Sequence, residues 1–591
     1  YGNDLTKLIV ESNGLSFILA GEDGFIDRWN IEAGKKIATL PRQDDDIKRL
    51  WVGKDDGLVA TFDDDEILQL LEGAVVSSKY EISDDFLALT LNQDLSLMAM
   101  ATDDNSIKII NPRSQQLVKL IKGVTAVTHL QFINNSQQLI AADEFGVLHV
   151  YVLASGQEIL KLISTNTGWT VVDNSGRFDS SELGMPNVSW VAEEFEIPLD
   201  SFSSNYYEPG LLATQIEQQA FINKQPEPIE AGIKLPPMVT IVKPEANQQV
   251  GQPFILSSEV QGMGGGVGTV DLYHNGKKVS ASAQVSNQEK IVDGLVTKTV
   301  GFNVVPTAGT NTFKIIARNT TGIEGHSEAL SIDIQGAKPK IKLHVFTIGV
   351  NKYQDPQLNL DYSVADGQSI AKIFTNKAQV RFDKFAQHKI YDQQATKQEI
   401  LRQLKLKDHF NQDDVLVLYL AGHGLAIDGE WYFLPHETEL KDSMEYFTQV
   451  GISATEIQEV LSENKAQKIF LMIDSCYSGA SVQAFRDMQN SQRHFSRSVS
   501  KTAGIVVLAA TRKDQTAAEL SDLGHGLFTY IVSDGLKGPA DFDPRNQQIT
   551  AQEIANYTTE KMPALSRKYL GASQEPTAFS IGQDFILLRQ D

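Results

Sequence analysis

Residues 471–480 read LMIDSCYSGA and hold Cys476, the one cysteine of this 591-residue chain. An apolar run leads straight into Asp-Ser-Cys, and small residues then open a turn. That is how a strand delivers a side chain to the edge of an open α/β sheet, where such sheets do their chemistry. A thiol at such an edge can be a nucleophile, but at neutral pH a free thiol is only slightly ionised and needs a base or a cationic neighbour.

Of the eleven histidines, the pattern selects His423, in YLAGHGLAIDGEWYFLP (419–435). It also ends an apolar strand, and two parallel strands ending at one edge bring the two side chains together. The flanking glycines free the backbone, so the Gly424 amide can approach a substrate carbonyl. A second Gly-His-Gly at 524–526 precedes a helical pattern, which makes His525 a cap or packing residue. His436, after Pro435, is a remote third. The plain alternative is an inert buried thiol beside an unrelated turn histidine.

The elements that must position this pair lie in the last 250 or so residues. Buried-strand runs at 341–350, 414–422, 468–474 and 504–510 alternate with helical patterns near 363–375, 395–406, 454–463 and 525–535. Such alternation predicts a doubly wound α/β domain over 337–591.

Upstream the pattern is β throughout. FILAGEDGFIDRWNIEAGKKIATL (17–40) repeats as strand, acidic turn and strand at 97–121 and 138–163, with a weaker copy at 56–73. Gly24, Asp65, Asn105 and Gly146 mark the turns at intervals of 41, 40 and 41 residues. This period, with several short strands per unit, is that of propeller blades, here over 1–165. The repeats resemble WD40 repeats, with Trp29 and Ile109 where the Trp-Asp strand belongs and the terminal Asp missing. Four blades are few for a ring, and the chain starts Tyr-Gly-Asn rather than Met, so the expectation is an incomplete propeller. Residues 166–237 read as a hairpin around Asn174-Ser175-Gly176, a helix and a proline-bearing linker. Residues 238–336 read as an immunoglobulin-like sandwich without the paired cysteines of antibody domains, with a hairpin at Asn275-Gly276. The glycine-rich QGMGGGVG (261–268) lies between two strands with no Lys-Ser/Thr after it, and reads as a hairpin loop rather than a phosphate loop.

Composition narrows the function classes. A content of 41% hydrophobic and 21% charged residues is that of a globular protein, and no apolar run reaches the ~20 residues of a membrane span. A net charge of −23 argues against a nucleic-acid surface. A single cysteine gives no internal disulfide, which fits a reducing, cytoplasmic setting.

Taken together, 340 to the end resembles a caspase-like cysteine peptidase of the bacterial, metacaspase-related kind. LYLAGHG is similar to that family's histidine strand and LMIDSCYSG to its cysteine strand. VNKYQDPQLNLDYSVADGQSI, LAATRKDQTAAE, GHGLFTYIVSDGL and QEPTAFSIGQDFIL follow the family order. The resemblance implies a Cys-His dyad with Cys476 as nucleophile, His423 as proton carrier, and the Cys476 and Gly424 amides as oxyanion hole. It also implies a basic residue before the scissile bond. Asp474, two before the nucleophile, and Asp366, in SVADG, match the pocket acids of the metacaspase-like members, with Asp514 in TRKDQT a further contributor. The alternatives are a helix cap for Asp366 and a turn role for Asp474.

Some members need calcium. The acidic clusters at 63–65 and 412–414 lack EF-hand spacing, so no metal or other cofactor is assigned. Expected partners are peptides with a basic P1 residue and a regulatory protein on the propeller, with neither nucleic acid nor membrane. Two other readings remain open: a scaffold with a vestigial peptidase fold, and a caspase proper that cuts after Asp. The segment 479–504, rich in Ser and Gln, is expected to be a long exposed loop that the enzyme cuts itself, after Arg486, Arg493, Arg497 or Lys501.

Overall fold

The computed structural model describes residues 5–55, 57–82, 85–124, 126–192, 194–217, 229, 232–245, 248–337, 340–377, 382–405, 410–441, 443–477, 482–512, 519–520, 524–542, 545–571, 573–580 and 584–590. Contacts divide the chain into two units, Tyr1–Asn187 with Leu211–Gln219, and Val188–Gly210 with Ala220–Asp591.

The first unit is a row of antiparallel sheets, four strands each over 5–40, 47–81 and 86–122 and six strands over 127–180. Each is a meander, as expected of propeller-like repeats. The 41-residue beat in the sequence marks a backbone requirement. Gly24, Asn105 and Gly146 have positive φ, and in the second repeat the left-handed residue is Glu66, next to Asp65. Shared apolar clusters join neighbouring sheets, for example Ile18, Ile26 and Leu40 with Ile47, Leu50 and Leu71. The hairpin around Asn174-Ser175-Gly176 extends the fourth sheet, since 169–173 pairs with 157–164 and with 178–180.

In the second unit, 238–334 forms two antiparallel sheets. Leu256, Val260, Val300 and Phe302 of one sheet share a core with Leu272, Phe313 and Ile315 of the other. Asn275 and Gly276 both have positive φ, as a two-residue hairpin requires.

The C-terminal domain is built on an eight-stranded sheet, whose shortest member, Ile452–Ser453, pairs with Glu430–Phe433. Its elements, in chain order, are β1 (Lys342–Gly349), α1 (Ser363–Lys377), β2 (Lys384–Tyr391), α2 (Lys397–Leu404), β3 (Val415–Ile427), β4 (Glu430–Phe433), α3 (Ala454–Glu463), β5 (Lys468–Tyr477), α4 (Val482–Ala503), β6 (Val506–Arg512), α5 (Leu527–Lys537), α6 (Ala551–Leu570) and β7 (Thr577–Ser580). The main order is β2-β1-β3-β5-β6-β7. All neighbours are parallel except β6 and β7, and β4 folds back antiparallel on the end of β3.

The central strands are apolar on both faces because both faces are covered. One face packs on Ile400, Ile457, Val460, Phe495 and Val499 of α2, α3 and α4. The other packs on Ile370, Phe374, Phe528, Ile531 and Ile554 of α1, α5 and α6. The four helices expected from periodicity are present, and α4 and α6 are additional.

The segment 479–504 departs from expectation. It is not an exposed loop: 482–503 is the 22-residue helix α4. Met488, Phe495 and Val499 repeat at helical spacing and are at most 2% exposed, with Ser491, Gln492, Ser496 and Ser500 also buried. Its core face is largely polar, so a reading that counts apolar residues misses it.

Candidate active site

Strands β3 and β5 run parallel in unbroken register from Val415↔Lys468 to Gly424↔Tyr477, and His423 pairs with Cys476. Paired positions on adjacent strands share one face of the sheet, at a strand spacing of about 4.8 Å. The backbone therefore brings together the two residues that the sequence singled out. The Cys476 side chain, and Asp514 entirely, lie outside the described residues.

His423 is fully buried. Its backbone N–H donates to the Tyr353 hydroxyl at 2.8 Å, and its ring Nε2 is 2.9 Å from the Leu358 carbonyl oxygen. A carbonyl only accepts, so Nε2 carries the proton, and in the neutral ring Nδ1 is the basic nitrogen. The Tyr353 ring lies against the imidazole with centroids 5.1 Å apart. The Leu358 carbonyl orients the base, and sequence reasoning missed it because a main-chain acceptor has no residue type.

Gly424 follows, where β4 turns back on β3. A Cβ there would lie 2.7 Å from Trp431 Nε1 and 3.3 Å from the Ser475 Cβ. The site requires glycine because the backbone is packed on both sides.

Asp474 is 2% exposed and lies mid-strand, not in a turn. It is two residues before Cys476, hence on the same face. Its Oδ2 accepts from Tyr419 at 3.3 Å and Thr529 at 3.1 Å. Asp366, also 2% exposed, lies in the first turn of α1. Its carboxylate reaches across to the start of α5 rather than serving only its own helix. It accepts from the Gly526 N–H at 3.1 Å and lies 3.1 Å from His525 Nδ1. Both acids thus meet the N-terminal turn of α5, whose unpaired N–H groups and dipole favour negative charge. His525 is a partner of Asp366, not a cap: the cap is Gly526. His436 bonds the Lys352 carbonyl.

The expected cleavage positions are placed differently. Arg497 is buried, with its guanidinium 2.7 Å from Asp200 Oδ1, 3.1 Å from Ser203 Oγ and stacked over Tyr207. Lys501 is buried 2.7 Å from Glu324 Oε2. Arg493 is half-buried on α4, and the Arg486 side chain lies outside the described residues. A peptidase binds its substrate extended, so Arg497 and Lys501, buried on a helix, are not presented for cleavage in this fold.

Residues 343–585 match the family model described as Caspase domain, so this part of the chain is a caspase-like domain of the cysteine peptidases. No curated protein matches the sequence. Among solved structures, a chain of one titled "Crystal Structure of Mitotic Checkpoint Complex" is similar at 14% identity over 29% of this chain and 58% of that one, with a TM-score of 0.24. That likeness is too slight to carry an argument. Among the described residues, no helix is long and apolar enough to cross a membrane.

Proposed function

We propose that the caspase-like domain is an active cysteine endopeptidase that cuts after Arg or Lys, using the Cys476–His423 dyad. The supporting observation is the register of β3 and β5, which pairs His423 with Cys476, with the imidazole held by the Leu358 carbonyl. His423 takes the thiol proton, and the thiolate adds to the scissile carbonyl carbon. The Gly424 and Cys476 amides stabilise the resulting oxyanion. His423 then gives its proton to the leaving amine, and a thioester remains. Water, deprotonated by His423, adds to the thioester, and the acid and the thiol are released.

Asp366 and Asp474 form the specificity pocket. Two buried carboxylates gathered at one helix N-terminus suit a guanidinium, which offers a planar fork of donors. They repel an acidic P1 side chain, which argues against cleavage after Asp. Asp514 is retained as a further pocket acid. The two-sheet domain is read as immunoglobulin-like and the repeats as propeller blades that bind a regulatory protein. Self-processing after Arg486, Arg493, Arg497 or Lys501, all of which lie within α4, requires that helix to unfold.

Purified protein is incubated with fluorogenic peptides ending in Arg, Lys or Asp. Release from Arg or Lys peptides by wild type, and none by Cys476→Ala, is the expected result. Release from Asp peptides alone overturns the specificity, and no release from any peptide favours a scaffold.

A further inference from the structure

Glu324, in the two-sheet domain, is 1% exposed, and its carboxylate gathers partners from three parts of the unit. Arg318 (2.8 Å) and His326 (3.2 Å) come from its own domain. Ser204 (2.6 Å) comes from the 188–210 segment, and Lys501 (2.7 Å) from α4. Asp200 of the same segment holds Arg497 at 2.7 Å and lies 3.7 Å from the Lys501 ammonium. Tyr207 covers Arg497 and stacks on His494. One side of α4 is therefore fixed by charges outside the peptidase domain.

The other side of α4 reaches the reaction centre. Gln492 Nε2 donates to Ser475 Oγ at 2.9 Å, one residue before the nucleophile. Phe495 stacks on Trp431 with centroids 5.5 Å apart and planes 9° apart. Met488 Sδ and Trp431 Nε1 crowd the position a Gly424 side chain would take. The helix thus touches both backbone segments proposed to bind the oxyanion.

We propose that Glu324 is a positioning residue for the peptidase reaction. Through Lys501, and with Asp200 through Arg497, it seats α4, and α4 holds the Ser475-Cys476 and Gly424 backbones in their reactive geometry. The proposal rests on the cysteine-peptidase reading above. Its physical basis is that buried Arg and Lys side chains are stable only beside their counterions. Removing the Glu324 charge leaves Lys501 with Asp200 at 3.7 Å, while Arg318 keeps Asp271 at 2.6 Å, so the deficit falls on α4, which carries Lys501. Displacement of about 1 Å at a reacting centre costs roughly 10²-fold in rate.

The test uses the full chain with Glu324→Gln, Lys501→Met, the double variant, Lys501→Arg and Asp200→Asn, folding being checked by circular dichroism. On an Arg peptide, Glu324→Gln and Lys501→Met should lower kcat by about 10- to 100-fold with KM little changed. The double variant should be no worse than either single one, and Lys501→Arg should restore most of kcat. A second readout does not need turnover: alkylation of the chain's one cysteine by iodoacetamide at pH 6, followed by mass. His423→Ala calibrates loss of thiol activation, and Glu324→Gln should slow alkylation toward that level. Wild-type kcat in folded Glu324→Gln and Lys501→Met overturns the proposal, as does raised kcat, which would make the network inhibitory. If Glu324→Gln does not fold, Lys501→Met and Asp200→Asn decide on the same criteria. If wild type cleaves no peptide, or His423→Ala leaves alkylation unchanged, the peptidase reading fails. The proposal is then judged by whether Glu324→Gln alters alkylation, and no change overturns it.

Discussion

Asp474→Asn tests the specificity pocket with little disturbance of the fold. Asparagine is nearly isosteric, and its Oδ1 can still accept from Tyr419 and Thr529, which lie 3.3 and 3.1 Å from the native Oδ2. What is lost is a negative charge at a position 2% exposed, where solvent cannot replace it. Breaking a fully buried ion pair costs about 3–5 kcal/mol, and a hydrogen bond to a charged group is worth about 1.5–3 kcal/mol. Asp366 keeps one carboxylate on the pocket, so the expected loss is about 2–3 kcal/mol, or roughly 30- to 160-fold in kcat/KM for Arg peptides. The P1 side chain is bound alike in ground and transition states, so the loss should appear in KM, with kcat nearly unchanged. The assay is steady-state hydrolysis of an Arg peptide, with thermal unfolding as the control for integrity. An unchanged KM would place the pocket acid elsewhere. A fall in kcat at constant KM would show that Asp474 acts on the neighbouring nucleophile and not on the substrate.

Cys476→Ala should abolish hydrolysis and leave the unfolding temperature within a few degrees of wild type; residual activity near wild type would remove Cys476 as nucleophile. Gly424→Ala would put a methyl group 2.7 Å from Trp431 Nε1. Overpacking of this kind costs about 1–3 kcal/mol, so it should lower both kcat and thermal stability, whereas wild-type kcat would exclude Gly424 from the oxyanion site. Burial raises the Glu324 pKa, but His326, Lys501 and Arg318 outweigh it and hold the carboxylate below the ordinary range. A depressed carboxylate contributes stability above its unfolded pKa of about 4.3, and that stability is lost as pH falls toward the folded value. Unfolding temperatures should therefore drop more steeply with acid, below about pH 4, in wild type than in Glu324→Gln; parallel curves would contradict this.

The proposed dyad was legible because its residues end two apolar runs, and a strand edge is a property of local sequence. That His423 and Cys476 are register partners was not, since register follows from pairing across a separation of 53 residues. The proposed pocket acids, Asp366 and Asp474, were visible only through family resemblance. Their convergence on the first turn of α5 depends on Gly526 and Thr529, whose residue types announce nothing. His525 shows the same limit: its neighbours in sequence suggest a cap, while its hydrogen-bond partner Asp366 is 159 residues away.

The helix α4 carries the argument furthest. A Ser- and Gln-rich stretch with several cations reads as solvated because, taken alone, it would be. Burying Arg497 and Lys501 is unfavourable unless counter-charges are already in place, and here these are Asp200 and Glu324, at separations of 297 and 177 residues. Neither partner belongs to the part of the chain that matches the caspase family model, residues 343–585. Two consequences follow from the same electrostatics. Of the basic residues that made 479–504 look like a substrate for its own active site, Arg497 and Lys501 are shut away from cleavage while the network is intact. And the peptidase domain cut free of 188–336 would expose two desolvated cations on the helix that braces its nucleophile strand. Isolated 337–591 should therefore hydrolyse Arg peptides with a lower kcat than the full chain, and adding the upstream part in cis, but not a charge-neutral Asp200→Asn, Glu324→Gln version of it, should restore the rate. Equal kcat for the isolated domain and the full chain would show that the catalytic strands hold their geometry unaided.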